Sequence, residues 1–142
     1  MTSGTNWTCT VQYLQSVNPT DHIIVGEDLN GHVGQQRGRY VQQHGGNGLG
    51  ARNADGYRIL DCTVAHDLAL ANTFFKNRLT HLATYTGSGH MTQVNYWMVR
   101  RQDLKLIKNT EVIPNENIAP QHRPLIMDIR MSQLKKKQKD VN

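Results

Sequence analysis

The sequence predicts a mixed α+β domain whose sheet is mostly antiparallel. Three observations carry this. Two segments repeat apolar residues at helical spacing, six short runs have strand composition, and five of those runs follow one another without the helix–strand alternation that builds a parallel sheet. At 142 residues the chain has the size of one domain, expected over residues 1–131, with residues 132–142 as a fraying basic tail.

In chain order, Trp7, Val11, Leu14 and Val17 recur at helical spacing, with Thr5 and Asn6 placed as caps and Pro19 as the stop. Residues 22–26 form a β-branched run that feeds directly into Glu27-Asp28-Leu29-Asn30, so polar groups gather at a strand's end. Residues 31–50 hold seven glycines and no apolar period, which predicts a long surface loop. Its stretch at residues 45–50 follows no strand and opens no helix, so it reads as loop rather than phosphate cradle. Ile59, Leu60, Val64, Ala65 and Leu68 form a second helical stripe with Asn53 or Asp55 as its cap. Strands follow at residues 68–72, at 82–86 and 93–100 paired across Gly87-Ser88-Gly89, and at 106–113 and 124–130. The strands near 22–26, 93–100 and 124–130 are expected to share one sheet.

Charge narrows the partners. The net charge is +5, and the last twelve residues, with four lysines and one aspartate, supply +3 of it. Attraction to DNA or RNA is therefore expected to run through the tail, to be salt-sensitive, and to be largely lost on its deletion. The lysines at 135–137 and 139 suit a nuclear address, a nucleic-acid tether or a solvated tail. Cys9 and Cys62 are the two cysteines, with no neighbouring Cys/His cluster, which argues against a disulfide scaffold or structural zinc. No apolar run reaches membrane-spanning length and the first residues lack a basic-then-apolar leader. The expectation is an intracellular protein, nuclear or cytoplasmic, without membrane association.

The polar residues that follow strands or turns are the candidates for chemistry: Asp28 and Asn30, Asn72, Asn95, and Gln121 with His122. Strand alternation would place Asp28 and Asn30 on one face. A carboxylate beside an amide suits a polarised water and a phosphoryl oxygen, or it satisfies turn amides. His122, at another strand mouth, suits donation to an anionic oxygen or is an ordinary turn residue. Tyr96-Trp97 beside Arg100-Arg101 offers base stacking, although alternation sends one aromatic into the core.

Four segments in order, residues 23–34 (IIVGEDLNGHVG), Thr84-Tyr85, residues 93–100 (QVNYWMVR) and residues 121–125 (QHRPL), resemble the endonuclease/exonuclease/phosphatase superfamily. More narrowly, the chain from about residue 20 to 130 is similar to the endonuclease domain of LINE-type retrotransposons and to the domesticated craniofacial development protein 2-like (bucentaur-type) proteins. The resemblance implies a four-layer α/β/β/α sandwich that cleaves phosphodiester bonds around one magnesium ion. It implies that Asp28 orients and deprotonates the attacking water and weakly ligates the metal, that Asn30 holds a phosphate oxygen, and that His122 stabilises charge on the phosphoryl group.

Two departures stand out. Asn95 and Gln121 occupy positions where the family carries carboxylates. An amide keeps a hydrogen bond but not the charge, so magnesium binding is expected to be weak or absent and His122 less effective. The family's upstream metal-binding Glu and phosphate-contacting Asn have no counterpart in residues 1–21, so the chain reads as the C-terminal half of the fold. A half sandwich exposes one sheet face, to be covered by a protein partner or by self-association. Three functional readings follow: an impaired magnesium-dependent endonuclease, a non-catalytic module binding nucleic acid or protein through the same fold, and an unrelated α+β binding domain.

Overall fold

The computed structural model describes residues 12, 14–116 and 120–130. Of the expected first helix, Gln12 and residues 14–16 are helical; Trp7, Val11 and the lysine tail lie outside the described residues.

Strand β1 (Ile24–Asp28) is the β-branched run extended by two acidic residues. It pairs antiparallel with β5 (Asn95–Arg100), from Ile24 opposite Val99 to Asp28 opposite Asn95. The other edge of β5 takes β2 (Leu68–Leu70), giving the order β1-β5-β2. Alternation along β5 then divides the core. Tyr96 and Met98 face a cluster containing Ile59, Leu60, Leu68 and Leu70, while Trp97 and Val99 face Ile107, Met127 and Ile129.

Helix α1 (Ala54–Ala65) buries Gly56, Ile59, Leu60 and Thr63 against the first cluster. Of its two candidate caps, Asn53 does the work: its Oδ1 accepts from Gly56 N–H at 2.8 Å, and Asp55 sits in the first turn. The Cys62 thiol on this helix is free, and burial pushes its pKa up to about 11. It is therefore protonated and unreactive at neutral pH.

Strand β2 is shorter than the expected 68–72, because Ala71–Thr73 turn into a 3-10 helix in which Phe74 N–H bonds to Ala71 O and Thr73 Oγ1 donates to Leu70 O. Asn72 then stands in for a strand partner. Its Oδ1 accepts from Trp97 N–H at 3.1 Å and its Nδ2 donates to Asn95 O at 3.3 Å, so one side chain prolongs the pairing along β5.

The hairpin differs from expectation. Residues 85–87 (β3, Tyr85–Gly87) pair with β4 (His90–Thr92), and β5 takes no part in it. The reason is the turn: Ser88 and Gly89 both have positive φ, 51° and 77°, which makes a two-residue connection and claims residues 90–92 as the partner. Thr84 Oγ1 then accepts from both Val94 and Asn95 N–H, ending the ladder and releasing β5 toward β1.

Strands β6 (Ile107–Val112) and β7 (Leu125–Ile129) form a separate two-stranded sheet. The expectation that residues 124–130 join the sheet of 22–26 and 93–100 is thus corrected. β7 takes β6 as its partner, and the pair packs on the face of the sheet rather than at its edge, where Trp97 Nε1 donates to Leu125 O at 3.0 Å. The described layers run helix, sheet, hairpin, a mixed α+β arrangement with antiparallel pairing throughout. His22 tethers the start of β1, its Nδ1 lying 2.7 Å from Asp103 Oδ2. Among the described residues no helix is long and apolar enough to cross a membrane.

The glycine-rich segment is a loop, as expected, and residues 35–39 are exposed, but it is anchored into the core: Val33, Tyr40 and His44 within it are buried. Tyr40 OH donates to Asp61 Oδ1 at 2.6 Å, and Arg52 lies between the Tyr40 and Tyr57 rings while donating to the carbonyls of Val33 and Gln36. His44 is the pivot. Its Nε2 is 2.7 Å from Gly34 O and its Nδ1 accepts from Gly46 N–H, so the neutral, Nε2-protonated ring satisfies both.

Burial, with Arg52 and Arg37 adding to it, holds His44 below the ordinary histidine pKa of 6.5. The unfolded chain therefore takes up a proton, as pH falls below about 6.5, that the folded chain refuses. His44 costs no stability above that pH and lowers it progressively below. Denaturant melts from pH 7.5 to 5 are expected to show this loss, and His44→Gln, although less stable at pH 7.5, to show a shallower slope. Equal slopes in the two proteins would place the pH dependence elsewhere.

Candidate functional site

The last rung of the β1–β5 ladder brings Asp28 opposite Asn95. Because opposed residues share a face, Gly26 and Asp28 of β1 join Asn95 and Trp97 of β5 on the side covered by the β6–β7 hairpin. There they line a groove of about 230 Å³ together with Arg123 and Leu125, with Glu27 and Tyr96 contributing to its wall. Glycine at position 26 is required by close approach: a Cβ there would stand 2.5 Å from the Trp97 ring. The indole lies across β1 and floors the groove.

The chain beyond Asp28 is held by its own turn. Asp28 Oδ1 accepts from Asn30 N–H at 2.9 Å and Asn30 has φ 53°, an Asx turn with a left-handed residue that asparagine tolerates. Strand alternation does not extend to Asn30, because β1 ends at Asp28. Asn30 is exposed and does not line the groove. Tyr96 secures the turn from below. Its hydroxyl, fully buried and raised in pKa by that burial, is 2.8 Å from the carbonyls of both Gly31 and Gln93 and accepts from Val33 N–H. Of the aromatic pair, Tyr96 is core and Trp97 is half-buried at the groove.

Residues 121–123 attach to β3 rather than to β1 or β5. Thr86 N–H donates to Gln121 O, His122 bridges to Tyr85, and Arg123 N–H donates to Thr84 O at 2.8 Å. Gln121, with φ 67°, turns its side chain over β3, where Oε1 accepts from Tyr85 OH at 2.7 Å. The His122 ring is half-buried and meets Tyr85 edge-on, 5.1 Å between centroids. The structure thus brings Asp28 and Asn95 together, sets His122 and Gln121 beside the groove on Tyr85, and puts Arg123 into the groove.

Arg123 is the residue that the motif contains but that sequence reasoning gave no role. Its Nη2 is 3.5 Å from Thr86 Oγ1, and its Nε is buried without a partner, as is Asn95 Oδ1. The available signal was its place directly after His122.

The comparisons with known proteins bear on this geometry. The chain is similar to craniofacial development protein 2. It is 27% identical to that protein from Tragulus javanicus over 129 residues, covering 85% of this chain and 21% of the relative. Against the protein from Bos taurus the identity is 25% over 129 residues, with the same coverage. The chain therefore spans about a fifth of the length of these curated relatives. No family model matches it.

The donors in the groove are a poor set for magnesium. That ion needs several hard, preferably anionic oxygens in tight octahedral geometry. Asp28 offers one carboxylate already bonded to Asn30 N–H, Glu27 alternates to the other face of β1, Asn95 offers a neutral oxygen, and Arg123 brings a positive charge to the same wall. Among the described residues no three of His, Cys, Asp and Glu are grouped to hold a metal.

Proposed function

We propose that this chain is an endonuclease-like module of the endonuclease/exonuclease/phosphatase superfamily, derived from a retrotransposon of the LINE type, that contacts DNA or RNA and whose magnesium-dependent phosphodiester chemistry is impaired. The observation that carries the reading is the meeting of three distant segments at one groove: Asp28 opposite Asn95, with residues 121–123 closing beside them. Similarity to craniofacial development protein 2 over 85% of the chain supports it.

In this reading Asp28 accepts the proton of an attacking water, Asn30 and His122 approach the phosphate from outside the groove lining, and the lysine tail supplies non-specific attraction. The amides at Asn95 and Gln121 favour a second reading, a non-catalytic module that binds nucleic acid or a protein partner through the same fold, in the nucleus or cytoplasm.

Incubation with supercoiled plasmid and magnesium separates the two. Trace nicking that Asp28→Ala abolishes is the expected result and supports residual catalysis at this groove. No nicking at all leaves the binding module, and nicking untouched by Asp28→Ala removes the groove from consideration as a catalytic site.

A further inference from the structure

We propose that Arg123 makes the groove an anion site that takes a phosphodiester oxygen directly, without a divalent cation. This rests on the reading of the groove as a contact for nucleic acid and assigns the group that does the contacting.

The argument begins with what Arg123 lacks. Arg39, Arg58 and Arg101 each have a carboxylate within 4 Å, at Asp61, Asp55 and Asp67. Arg123 has none among the described residues, and it is half-buried where those with exposed side chains can turn to water. Its Nε–H is withdrawn from solvent with no acceptor, and its one other contact, to Thr86 Oγ1, is at the 3.5 Å limit. A desolvated donor on a charged group is costly to leave unmade, and the cost is relieved by an acceptor entering from the open side. Arg123 lines the groove, so a turn of its side chain brings a guanidinium N–H to an oxygen entering there.

The backbone that carries the donor is held in place before any ligand arrives. Arg123 N–H is bonded to Thr84 O, Pro124 O accepts from Ile113 N–H, and Leu125 O accepts from Trp97 Nε1. Three consecutive residues are thus pinned to three different segments, which fixes the point from which the Arg123 side chain reaches the groove. Asn95 sits across from it with both backbone groups committed, N–H to Thr84 Oγ1 and C=O to Asn72 Nδ2, and with Oδ1 buried and unpartnered.

Charge selects among anions. Two carboxylate residues line the groove, but strand alternation sends the Glu27 side chain to the other face of β1 with Tyr96, so on the face of Asp28 and Asn95 the one carboxylate that opposes a negative ligand is offset by Arg123. A singly charged phosphodiester is tolerated there, while doubly charged inorganic phosphate is disfavoured. The groove, at about 230 Å³, suits a phosphate with part of its sugar rather than a whole stacked base.

The test uses the full chain in EDTA and follows the Arg123 Nε–H signal by ¹⁵N NMR, identified by its loss in Arg123→Lys, so that tail lysines do not enter the readout. Titration with dimethyl phosphate or a short oligothymidylate is expected to shift that signal saturably, and inorganic phosphate to shift it far less. In fluorescence anisotropy, Arg123→Ala is expected to weaken the oligonucleotide about tenfold, the scale of one charge-assisted hydrogen bond. A shift that appears only with magnesium overturns the metal-free site while leaving the groove as the nucleic-acid contact. Oligonucleotide binding that leaves the Nε–H signal unmoved with and without magnesium overturns both. An equal response to inorganic phosphate overturns the selectivity for a diester.

Discussion

Replacing Gly56 by alanine is expected to destabilise the protein by about 3 kcal/mol and lower its melting temperature by about 10 °C, although alanine is the better helix former by about 1 kcal/mol. The two effects compete at one residue, and packing wins. A Cβ at Gly56 would overlap the backbone carbonyl of His32. That carbonyl accepts from Asn53 N–H, and Asn53 Oδ1 in turn accepts from His32 N–H at 3.1 Å and Gly56 N–H at 2.8 Å. The first turn of α1 and the chain just beyond Asp28 are therefore clamped through a single asparagine. Backbone cannot rotate aside as a flexible side chain would, so relief requires separating the helix from the loop and breaking the clamp. Val64→Ala, on an exposed position of the same helix, serves as the control and is expected to change stability by less than about 0.5 kcal/mol. Thermal melts of the three proteins decide it: a Gly56→Ala variant as stable as the parent would mean that the loop yields without cost.

The second large effect is expected from restoring a carboxylate in the groove while removing the competing cation. Asn95→Asp combined with Arg123→Ala should raise magnesium affinity by at least about tenfold, the scale on which shell substitutions act in metal sites. Asp28 and residue 95 are direct partners on one face of the ladder, so two carboxylates there repel one another until a cation lies between them. Asn95→Asp alone should do less, because the new carboxylate meets Arg123 in the same groove and pairs with it. Gln121→Asp, the other position where the family carries an acid, should add little, since the Gln121 side chain reaches Tyr85 OH and not the groove. Calorimetric titration of magnesium into the parent, both singles and the double variant tests the order. A single Asn95→Asp variant that binds as tightly as the double would show that Arg123 does not compete for the site.

The parts of the molecule legible from the chain are those set by local physics. The stripe of Ile59 and Leu60, with Asn53 ahead of it, announces α1 and its cap, because helical period and capping both act within a few residues. β-branched runs announce β1 and β5 for the same reason, and Asp28 and Asn95 are visible as polar residues at strand ends. The loop of residues 31–50 was legible as a loop, but its anchoring was not, because Tyr40 and His44 have no period: they are buried one at a time, each with a specific hydrogen bond. Strand partnership was illegible too. It is decided by which edges remain open once the Ser88-Gly89 turn has taken residues 90–92, and that competition leaves β5 between β1 and β2 and sends β6–β7 onto the face. Composition and order determined by themselves an α+β chain with a carboxylate at a strand end. Only the tertiary structure decided that Arg123, separated from Asp28 by most of the chain, shares its groove, because a contact across that distance in sequence is set by packing and edge pairing, which no local pattern encodes.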